Sequence, residues 1–330
     1  MLIDRSRLPT VLLQSAAEVM EDSPFGTIAF DLESLSQLPD ADLAKLRTWW
    51  HRQPFPIIGV GSEHSLAAEY VDVVVTSQSE LEAISQRIHA HPQAAAVLVQ
   101  VLRAIEHLPP LDGLMVESLG YATLQSGEEF KRWLARHRSK NIPGPVDEAG
   151  PPVIAEREGD QLNLTLNRPG NSNAYTVELR DALFEMLSLV EMDQTIRLAK
   201  ITAHGRCFST GGELSEFGSV ENPAVGHMIR SQVFPARLLL AAPERYHFHV
   251  HKACVGSGLE LPACAGRFTA APRTLFWLPE LTMGLIPGAG GCVSISRRIG
   301  RRRTAYMVLM NKKIDAQTAL DWGLIDAISP

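Results

Sequence analysis

The amino-acid sequence predicts an α/β protein with a parallel sheet, and three consecutive segments carry this prediction. QLNLTLNRP, residues 161–169, alternates apolar and polar side chains as a strand does, and IRLAKITAHG, residues 196–205, is a second apolar strand. Between them, TVELRDALFEMLSLV has apolar residues at helical spacing, namely Leu179, Leu183, Met186, Leu187 and Val190. A strand–helix–strand order implies a crossover onto a parallel neighbour, with any ligand site near the carboxyl ends of the strands.

The first half of the chain has a different texture. TIAFDLESL, PIIGVG and YVDVVV are typical of short apolar strands, and ADLAKLRTWW between the first two is typical of a helix. SELEAISQRI and SGEEFKRWLA begin with capping-box patterns, Ser79 with Glu82 and Ser126 with Glu129, so we expect residues 79–138 to be mostly helical. NIPGPVDEAGPPVIA, residues 141–155, is rich in proline and glycine and is the predicted linker.

Composition excludes several functional classes. The net charge of −6 argues against a nucleic-acid surface, which must neutralise phosphates. No apolar run reaches the length of a membrane span or of a signal-peptide core, so we expect a cytoplasmic protein without a membrane partner. One basic cluster is an exception, and its side chains predict a solvated helix face, with a phosphate contact as the alternative. It comprises Arg297, Arg298, Arg301, Arg302 and Arg303.

The cysteine and histidine patterns do not predict a metal site. The four cysteines form no CxxC pair, so buried free thiols are expected. YHFHVH, residues 246–251, places His247, His249 and His251 on one face of a strand, which is one geometry for a metal site. A histidine triplet without a distal carboxylate or cysteine ligand is more typical of a solvated or interfacial strand face, and we therefore predict no bound metal.

Two turns rich in small residues carry the predicted chemistry. GRCFSTGGELSEFG follows the second strand, and CVGSGLELPACAG follows the histidine strand. Such turns leave backbone N–H groups free to bind an oxyanion. Glu260 lies three residues after Ser257, and LPELTMGLIPGAGG adds a second glutamate, Glu280. Two carboxylates divide acid and base roles when their surroundings separate their pKa values.

From Gln161 to Ser329 the sequence resembles the enoyl-CoA hydratase (crotonase) superfamily. The resemblance lies in five ordered motifs: LNLTLNRPGNSNAYT, FSTGGEL, GSGLEL, PELTMGLIPGAGG and RRIGRRRTAYMVLMNKKIDAQTALDWGLIDAIS. It implies a crotonase-like ββα spiral core. It also implies that the backbone N–H groups of Thr210 and Ser257 bind a thioester oxygen, with Gly211, Gly212 and Gly258 shaping the two turns. Glu260 and Glu280 then correspond to the two glutamates of the hydratases.

The resemblance implies hydration or dehydration of a 2-enoyl thioester, carried by coenzyme A or an acyl-carrier protein. No cofactor is expected beyond coenzyme A as part of the substrate, and a homo-oligomer, trimer or hexamer, is expected. Isomerase, hydrolase and decarboxylase reactions remain alternatives. A non-catalytic crotonase-fold binding module is a further alternative, because Lys252 and Ser257 stand where the family commonly has glycine.

The resemblance also predicts the domain organisation. Family members continue past the segment that matches GLIDAIS with several helices that cover the site. In this sequence YVDVVVTSQSELEAISQRIHAHPQAAAVLVQVLRAIEHLPP and LMVESLGYATLQSGEEFKRWLA resemble that helical region. We therefore expect residues 1–140 to be a degenerate crotonase-like module whose helices replace the missing ones. Residues 141–155 would be a linker, and residues 156–330 the catalytic core.

Overall fold

A computed structural model describes residues 2–3, 6–15, 17–19, 27–140 and 144–329. The predicted linker begins outside this range, since residues 141–143 are not described. It also ends earlier than expected, because residues 153–155 belong to a strand that starts at Val153. The α/β class is confirmed: helices and largely parallel strands alternate through both halves of the described chain.

The N-terminal half contains a parallel sheet in the order β1-β2-β3-β4. Its strands are β1 (Leu2–Ile3), β2 (Ile28–Asp31), β3 (Ile57–Val60) and β4 (Val73–Val75). The helices packed with it are α1 (Leu8–Leu13), α2 (Leu32–Ser36) and α3 (Asp40–Arg52). Phe30, Trp49 and Ile57 belong to an apolar cluster of this sheet and its helices, and that cluster is separate from the main core.

Four helices follow the sheet, as the sequence predicts for residues 79–138. They are α4 (Gln78–Ala90), α5 (Pro92–Ile105), α6 (Pro110–Gln125) and α7 (Glu128–Arg138). Both predicted capping boxes are wrong. Ser77, not Ser79, caps α4 by accepting from the Glu80 amide. The predicted partner of Ser126 instead caps another helix: the Glu129 carboxylate accepts hydrogen bonds from the first amides of α5, those of residues 93 and 94, at 2.6 and 3.1 Å.

The C-terminal half is built on a six-stranded sheet and a three-stranded sheet. The strands, in chain order, are β5 (Val153–Glu158), β6 (Gln161–Leu166), β7 (Leu198–Ala203), β8 (Tyr246–Val250), β9 (Ala253–Val255), β10 (Arg267–Ala270), β11 (Leu275–Trp277), β12 (Ile314–Asp315) and β13 (Ala327–Ile328). The larger sheet has the order β13-β10-β8-β7-β6-β5 and is parallel except for the β5–β6 pair, and the smaller has the order β12-β11-β9. The helices are α8 (Val177–Met192), α9 (Pro223–Gln232), α10 (Pro235–Ala241), α11 (Ser257–Glu260), α12 (Gly291–Leu309) and α13 (Ala316–Trp322). The predicted crossover is confirmed, since α8 connects the parallel strands β6 and β7.

Helices of the N-terminal half pack directly on the C-terminal core. Helix α5 packs against α12, and α6 packs against α9, α10 and α12. The apolar side chains between them are buried and belong to one continuous cluster. They include Leu98, Val99, Leu102 and Leu114 from the N-terminal half and Val293 and Ile295 from the C-terminal half. Removing the N-terminal helices would therefore expose apolar core, although the division of the chain into modules stays a prediction.

The basic cluster also joins the two halves, so the prediction of a solvated face is wrong for its central residue. Arg301 is only 8% exposed. Its guanidinium donates to the carbonyl oxygens of Val71 and Glu69 at 2.7 and 2.6 Å and to Glu106 Oε2 at 3.0 Å. A guanidinium offers several donors in one plane, which suits it to bind two backbone carbonyl oxygens and a carboxylate together.

Two further expectations concern cysteines and membrane spans. The four cysteines are free and buried, as predicted. In the described ranges, every helix is too short or too polar to cross a lipid bilayer.

Candidate active site

The two predicted turns lie side by side. Ser209 bridges them, because its N–H donates to the Ala253 carbonyl at 3.1 Å and its carbonyl accepts from the Val255 N–H at 3.2 Å. Gly211 has a φ of +89°, and a Cβ there would lie 2.8 Å from the Val255 carbonyl oxygen. Only glycine fits that combination of backbone angle and contact. Backbone pairing and small residues therefore bring the two turns into contact.

The amides of these turns differ in the hydrogen bonds that they already make. The Thr210 N–H is already used, because it donates to the Ser172 carbonyl at 3.2 Å. In the described part of the chain, the next free amide of this turn is that of Gly212, which donates to no acceptor. On the other turn, Ser257 and Gly258 begin α11, where the first N–H groups have no partner in their own helix. The amides of the two turns that have no acceptor in the described residues are thus those of Gly212, Ser257 and Gly258.

Glu260 ends the short helix α11 and is 2% exposed. Its Oε2 accepts hydrogen bonds from the amides of Ala289 and Gly291 at 2.6 and 2.9 Å. A Cβ at position 291 would lie 2.5 Å from Glu260 Cγ, so glycine is required for this approach. Burial raises the pKa of Glu260 to about 7, and the amide hydrogen bonds oppose that rise.

Glu280 follows β11, the strand that lies beside β9 in the small sheet. It begins a 3-10 turn, Glu280–Met283, shortly after β11 and is 8% exposed. Its Oε1 lies so close to Gly256 that a Cβ there would be 2.8 Å away, whereas its Oε2 is buried and has no hydrogen-bond partner in the described residues. Burial, with a smaller contribution from the charge of Glu260, raises the pKa of Glu280 well above its usual range.

A third buried glutamate, Glu117, was not predicted to lie near the site. It projects from α6 and is 0% exposed. Its Oε1 accepts from the Gly290 amide at 2.7 Å, and its Oε2 accepts from the amides of Cys292 and Val293 at 2.8 and 3.3 Å. Burial and the charge of Glu260 raise the pKa of Glu117 well above its usual range. One signal in the sequence was available, a single acidic residue within the apolar stretch LMVESLGY.

The two predicted turns and two of the three glutamates line one cavity of about 720 Å³, a volume typical of small-molecule sites. Its walls include the Gly212 and Ser257 turns and both Glu260 and Glu280. Helices α6 and α7 supply another wall, which contains Tyr121, Gln125 and Trp133. Two more buried polar atoms have no partner in the described residues, the hydroxyls of Tyr175 and Ser257. Such atoms on a cavity wall are available to a ligand.

The histidine strand lies away from these carboxylates. His247 Nε2 and His249 Nδ1 each lie 3.0 Å from the Thr269 hydroxyl, and His251 Nε2 lies 3.1 Å from the Gly205 carbonyl oxygen. Strand pairing explains this arrangement, since β10 lies beside β8 with Thr269 opposite His249. In the described ranges, no group of three or more potential ligands is positioned to hold a metal ion. That the protein needs no metal stays a prediction.

Lys252, just before β9, has a φ of +61°. This left-handed conformation is unfavourable for a residue with a side chain and favours glycine. Lys252 therefore adopts a backbone conformation that glycine takes without strain.

Comparison with known proteins gives a family match over the C-terminal half. A family model described as enoyl-CoA hydratase/isomerase matches residues 156–330. The 2,3-dehydroadipyl-CoA hydratase of Escherichia coli (strain K12) is 33% identical over 184 residues, which are 54% of this chain and 69% of that protein. A trans-2-decenoyl-(acyl-carrier-protein) isomerase of Streptococcus mutans is 26% identical over 177 residues, 52% of this chain and 67% of that protein.

Among solved structures, an enoyl-CoA hydratase from Thermoplasma volcanium GSS1 matches with a TM-score of 0.50 and 29% identity. The match covers 55% of this chain and 72% of that one. The predicted crotonase-like core is therefore confirmed. The family match leaves residues 1–155 uncovered, and these include Glu117 and Tyr121.

Proposed function

Because the chain belongs to the enoyl-CoA hydratase/isomerase family, we propose that it hydrates a 2-enoyl thioester of coenzyme A or of an acyl-carrier protein. The observation that carries this proposal is the pair of buried glutamates, Glu260 and Glu280, on one cavity wall with the free amides of Gly212 and Ser257. The relatives include both a hydratase and an isomerase. The choice of hydration therefore rests on the two carboxylates.

In the proposed reaction, the thioester oxygen accepts hydrogen bonds from the amides of Gly212 and Ser257. The oxygen of water adds to the β-carbon, and the electron pair of the double bond moves toward the thioester oxygen. The two amides stabilise the negative charge that develops there. One carboxylate takes the proton that water loses, and the other gives a proton to the α-carbon, so that the product is a 3-hydroxyacyl thioester.

The surroundings of the two glutamates support different roles. Glu260 receives two amide hydrogen bonds, which favour its ionised form, and its pKa of about 7 suits a general base at neutral pH. Glu280 has a buried oxygen without a partner and a pKa raised well above its usual range, so it retains the proton that a general acid must donate. After each turnover a water molecule can return the proton from Glu260 to Glu280.

Coenzyme A is part of the substrate, and the proposed reaction uses no other cofactor. A homo-oligomer, trimer or hexamer, is proposed from the family resemblance.

The test is the loss of enoyl absorbance with a panel of short, long and aromatic 2-enoyl-CoA esters. Glu260→Gln and Glu280→Gln are each expected to fold, to bind ester and to slow hydration by roughly two to four orders of magnitude. The double variant should be far less impaired than the product of the single effects, because both residues act on one transition state. Glu158→Gln, at an exposed position of β5, is the matched control and should leave turnover unchanged.

Each outcome separates the alternatives. Turnover that neither substitution changes would refute the assignment of hydration to this pair. A shift of the double bond without water uptake would indicate an isomerase. Wild-type binding without turnover of any ester would favour the non-catalytic module.

A further inference from the structure

Arg230 places a cation inside the cavity. It lies on α9, and its guanidinium donates from Nε to Ser118 Oγ at 2.9 Å, from Nη1 to Gln125 Oε1 at 3.3 Å and from Nη2 to the Ser118 carbonyl at 3.4 Å. Its Cζ atom lies 4.7 Å from the centre of the Tyr121 ring. These neutral contacts hold the guanidinium in one orientation and use only three of its five N–H groups.

The charge of Arg230 is not matched by a bound carboxylate. In the described ranges, Arg230 forms no ion pair, whereas the cavity-lining Arg180 pairs with Asp181 at 2.7 Å. Glu117 is near enough to interact with this charge, but its two oxygens are occupied by backbone amides. Burial lowers the pKa of Arg230, as expected for a cation that has lost part of its hydration. Arg230 is half-buried, and a partly desolvated cation that faces a cavity without a carboxylate partner is suited to an anionic ligand.

The Tyr121 ring contacts both Arg230 and the loop that binds Glu260. The ring centre lies 4.7 Å from Arg230 Cζ, and a Cβ at position 288 would come within 2.3 Å of the ring. The residue after Gly288 is Ala289, whose amide binds Glu260. The cavity wall near Arg230 includes the apolar side chains of Ile229, Val233, Phe234 and Pro235 as well as the amide of Gln125. The Gly212 and Ser257 turns line the same cavity, so an acyl chain that starts at those turns can extend toward the guanidinium.

We infer that Arg230 binds a carboxylate at the far end of the acyl chain, so that the substrates are 2-enoyl thioesters with a terminal carboxylate. This inference rests on the proposed function, because it assumes that the thioester end lies at Gly212 and Ser257. A guanidinium binds a carboxylate through two parallel, charge-assisted hydrogen bonds, and Arg230 retains two N–H groups for them. Arg230 is then a specificity-determining residue rather than only a link between α9 and α6.

The experiment compares two series of 2-enoyl-CoA esters with equal carbon number, one ending in a methyl group and one in a carboxylate. The wild-type protein is expected to prefer the carboxylated ester in kcat/KM. Arg230→Met should lower kcat/KM for the carboxylated ester by roughly ten- to a hundredfold, the effect of losing a hydrogen bond to a charged group, and should change that for the methyl ester much less. Arg230→Lys should recover part of the preference. Arg237→Met, an exposed arginine on the next helix, is the matched control.

Binding of saturated thioesters provides a second measurement that does not depend on turnover. Wild type should bind the saturated carboxylated thioester more tightly than the methyl-terminated one, and Arg230→Met should abolish that difference. An equal loss for both series in Arg230→Met would overturn the inference and leave Arg230 a structural residue. Hydration of methyl-terminated esters with rejection of carboxylated ones would overturn it while the proposed function stands. If no ester of either series is hydrated, the proposed function fails, and the binding difference alone decides whether Arg230 recognises a carboxylate.

Discussion

Glu117 and Glu260 both bind the backbone of residues 289–293, at the start of α12, but each accepts hydrogen bonds from different amides of that stretch. Glu260 binds the amides of residues 289 and 291, and Glu117 binds those of residues 290, 292 and 293. A helix N-terminus favours negative charge because its first N–H groups are unpaired and its dipole is positive there. One carboxylate comes from each half of the chain, so the N-terminal half takes part in positioning the proposed base.

Glu117→Gln is expected to destabilise the fold. All three contacts of Glu117 come from N–H donors, so the NH₂ group of glutamine would face a donor and leave at least one buried amide without an acceptor. A loss of about 1–3 kcal/mol in the free energy of unfolding is expected, measured by urea denaturation. Glu128→Gln, on the exposed start of α7, is the control and should change stability by less than about 0.5 kcal/mol. Equal stability of Glu117→Gln and wild type would show that these contacts do not hold the helix.

The pKa of Glu260 predicts the pH dependence of turnover. As the proposed base, Glu260 must be ionised in the free enzyme, so kcat/KM should fall about tenfold per pH unit below about pH 7. Above that pH the rate should level off while Glu280 keeps its proton, because burial raises the pKa of Glu280 well above its usual range. A kcat/KM profile from about pH 5 to about pH 9 measures the acid limb and the plateau above it. A rate independent of pH below 7 would contradict the assignment of Glu260 as base.

The raised pKa of Glu260 also makes the stability of the folded protein decrease as pH rises. The pKa of Glu260 is about 7 in the folded protein, against 4.5 for an ordinary glutamate, so the folded state holds a proton that the unfolded state has lost. Its contribution to stability is complete below pH 4.5 and declines as pH rises toward about 7. The Glu260→Gln variant should therefore lose less stability than wild type over this window. Denaturation of both proteins at either end of the window tests the difference.

Ser257→Ala is expected to retain turnover. The substitution keeps the proposed oxyanion amide and removes a buried hydroxyl that has no partner in the described residues. Stability should be equal or higher by up to about 1 kcal/mol, and kcat/KM should stay within about threefold. Ser209→Ala is the contrasting control, because Ser209 Oγ donates to the Asn173 carbonyl at 2.7 Å and accepts from the Gly211 amide at 3.2 Å. A large loss of turnover in a folded Ser257→Ala protein would instead assign the hydroxyl a role in catalysis.

A fragment that begins at Val153 is expected to be insoluble or molten. It lacks α5 and α6, so the apolar face of α12 around Val293 becomes exposed, and it also loses Glu117 and Tyr121. Near-ultraviolet circular dichroism and dye binding report whether its side chains are packed. Co-expression with residues 1–152 should restore packing and turnover. A stable, active fragment on its own would show that the N-terminal half is an independent domain.

The sequence by itself determined the secondary structure and the candidate carboxylates. The alternation in residues 161–169 and the helical spacing after it depend on short-range periodicity, which a single sequence displays. The turns around Gly211 and Ser257 are recognisable because close backbone approach requires small residues. Glu260 and Glu280 follow from motif spacing. All of these are properties of segments shorter than about 20 residues.

Only the tertiary structure decided which groups meet. The Thr210 amide donates to the carbonyl of Ser172, 38 positions earlier, whereas the Gly212 amide has no acceptor in the described residues, and no local pattern records that pairing. The capping function predicted for Ser126 was wrong because Glu129 caps a helix 35 positions away. Glu117 reaches the amide of Cys292 across 175 positions. Such contacts depend on how α6 packs against α12, and packing is set by the combined shape of many buried side chains rather than by any one segment.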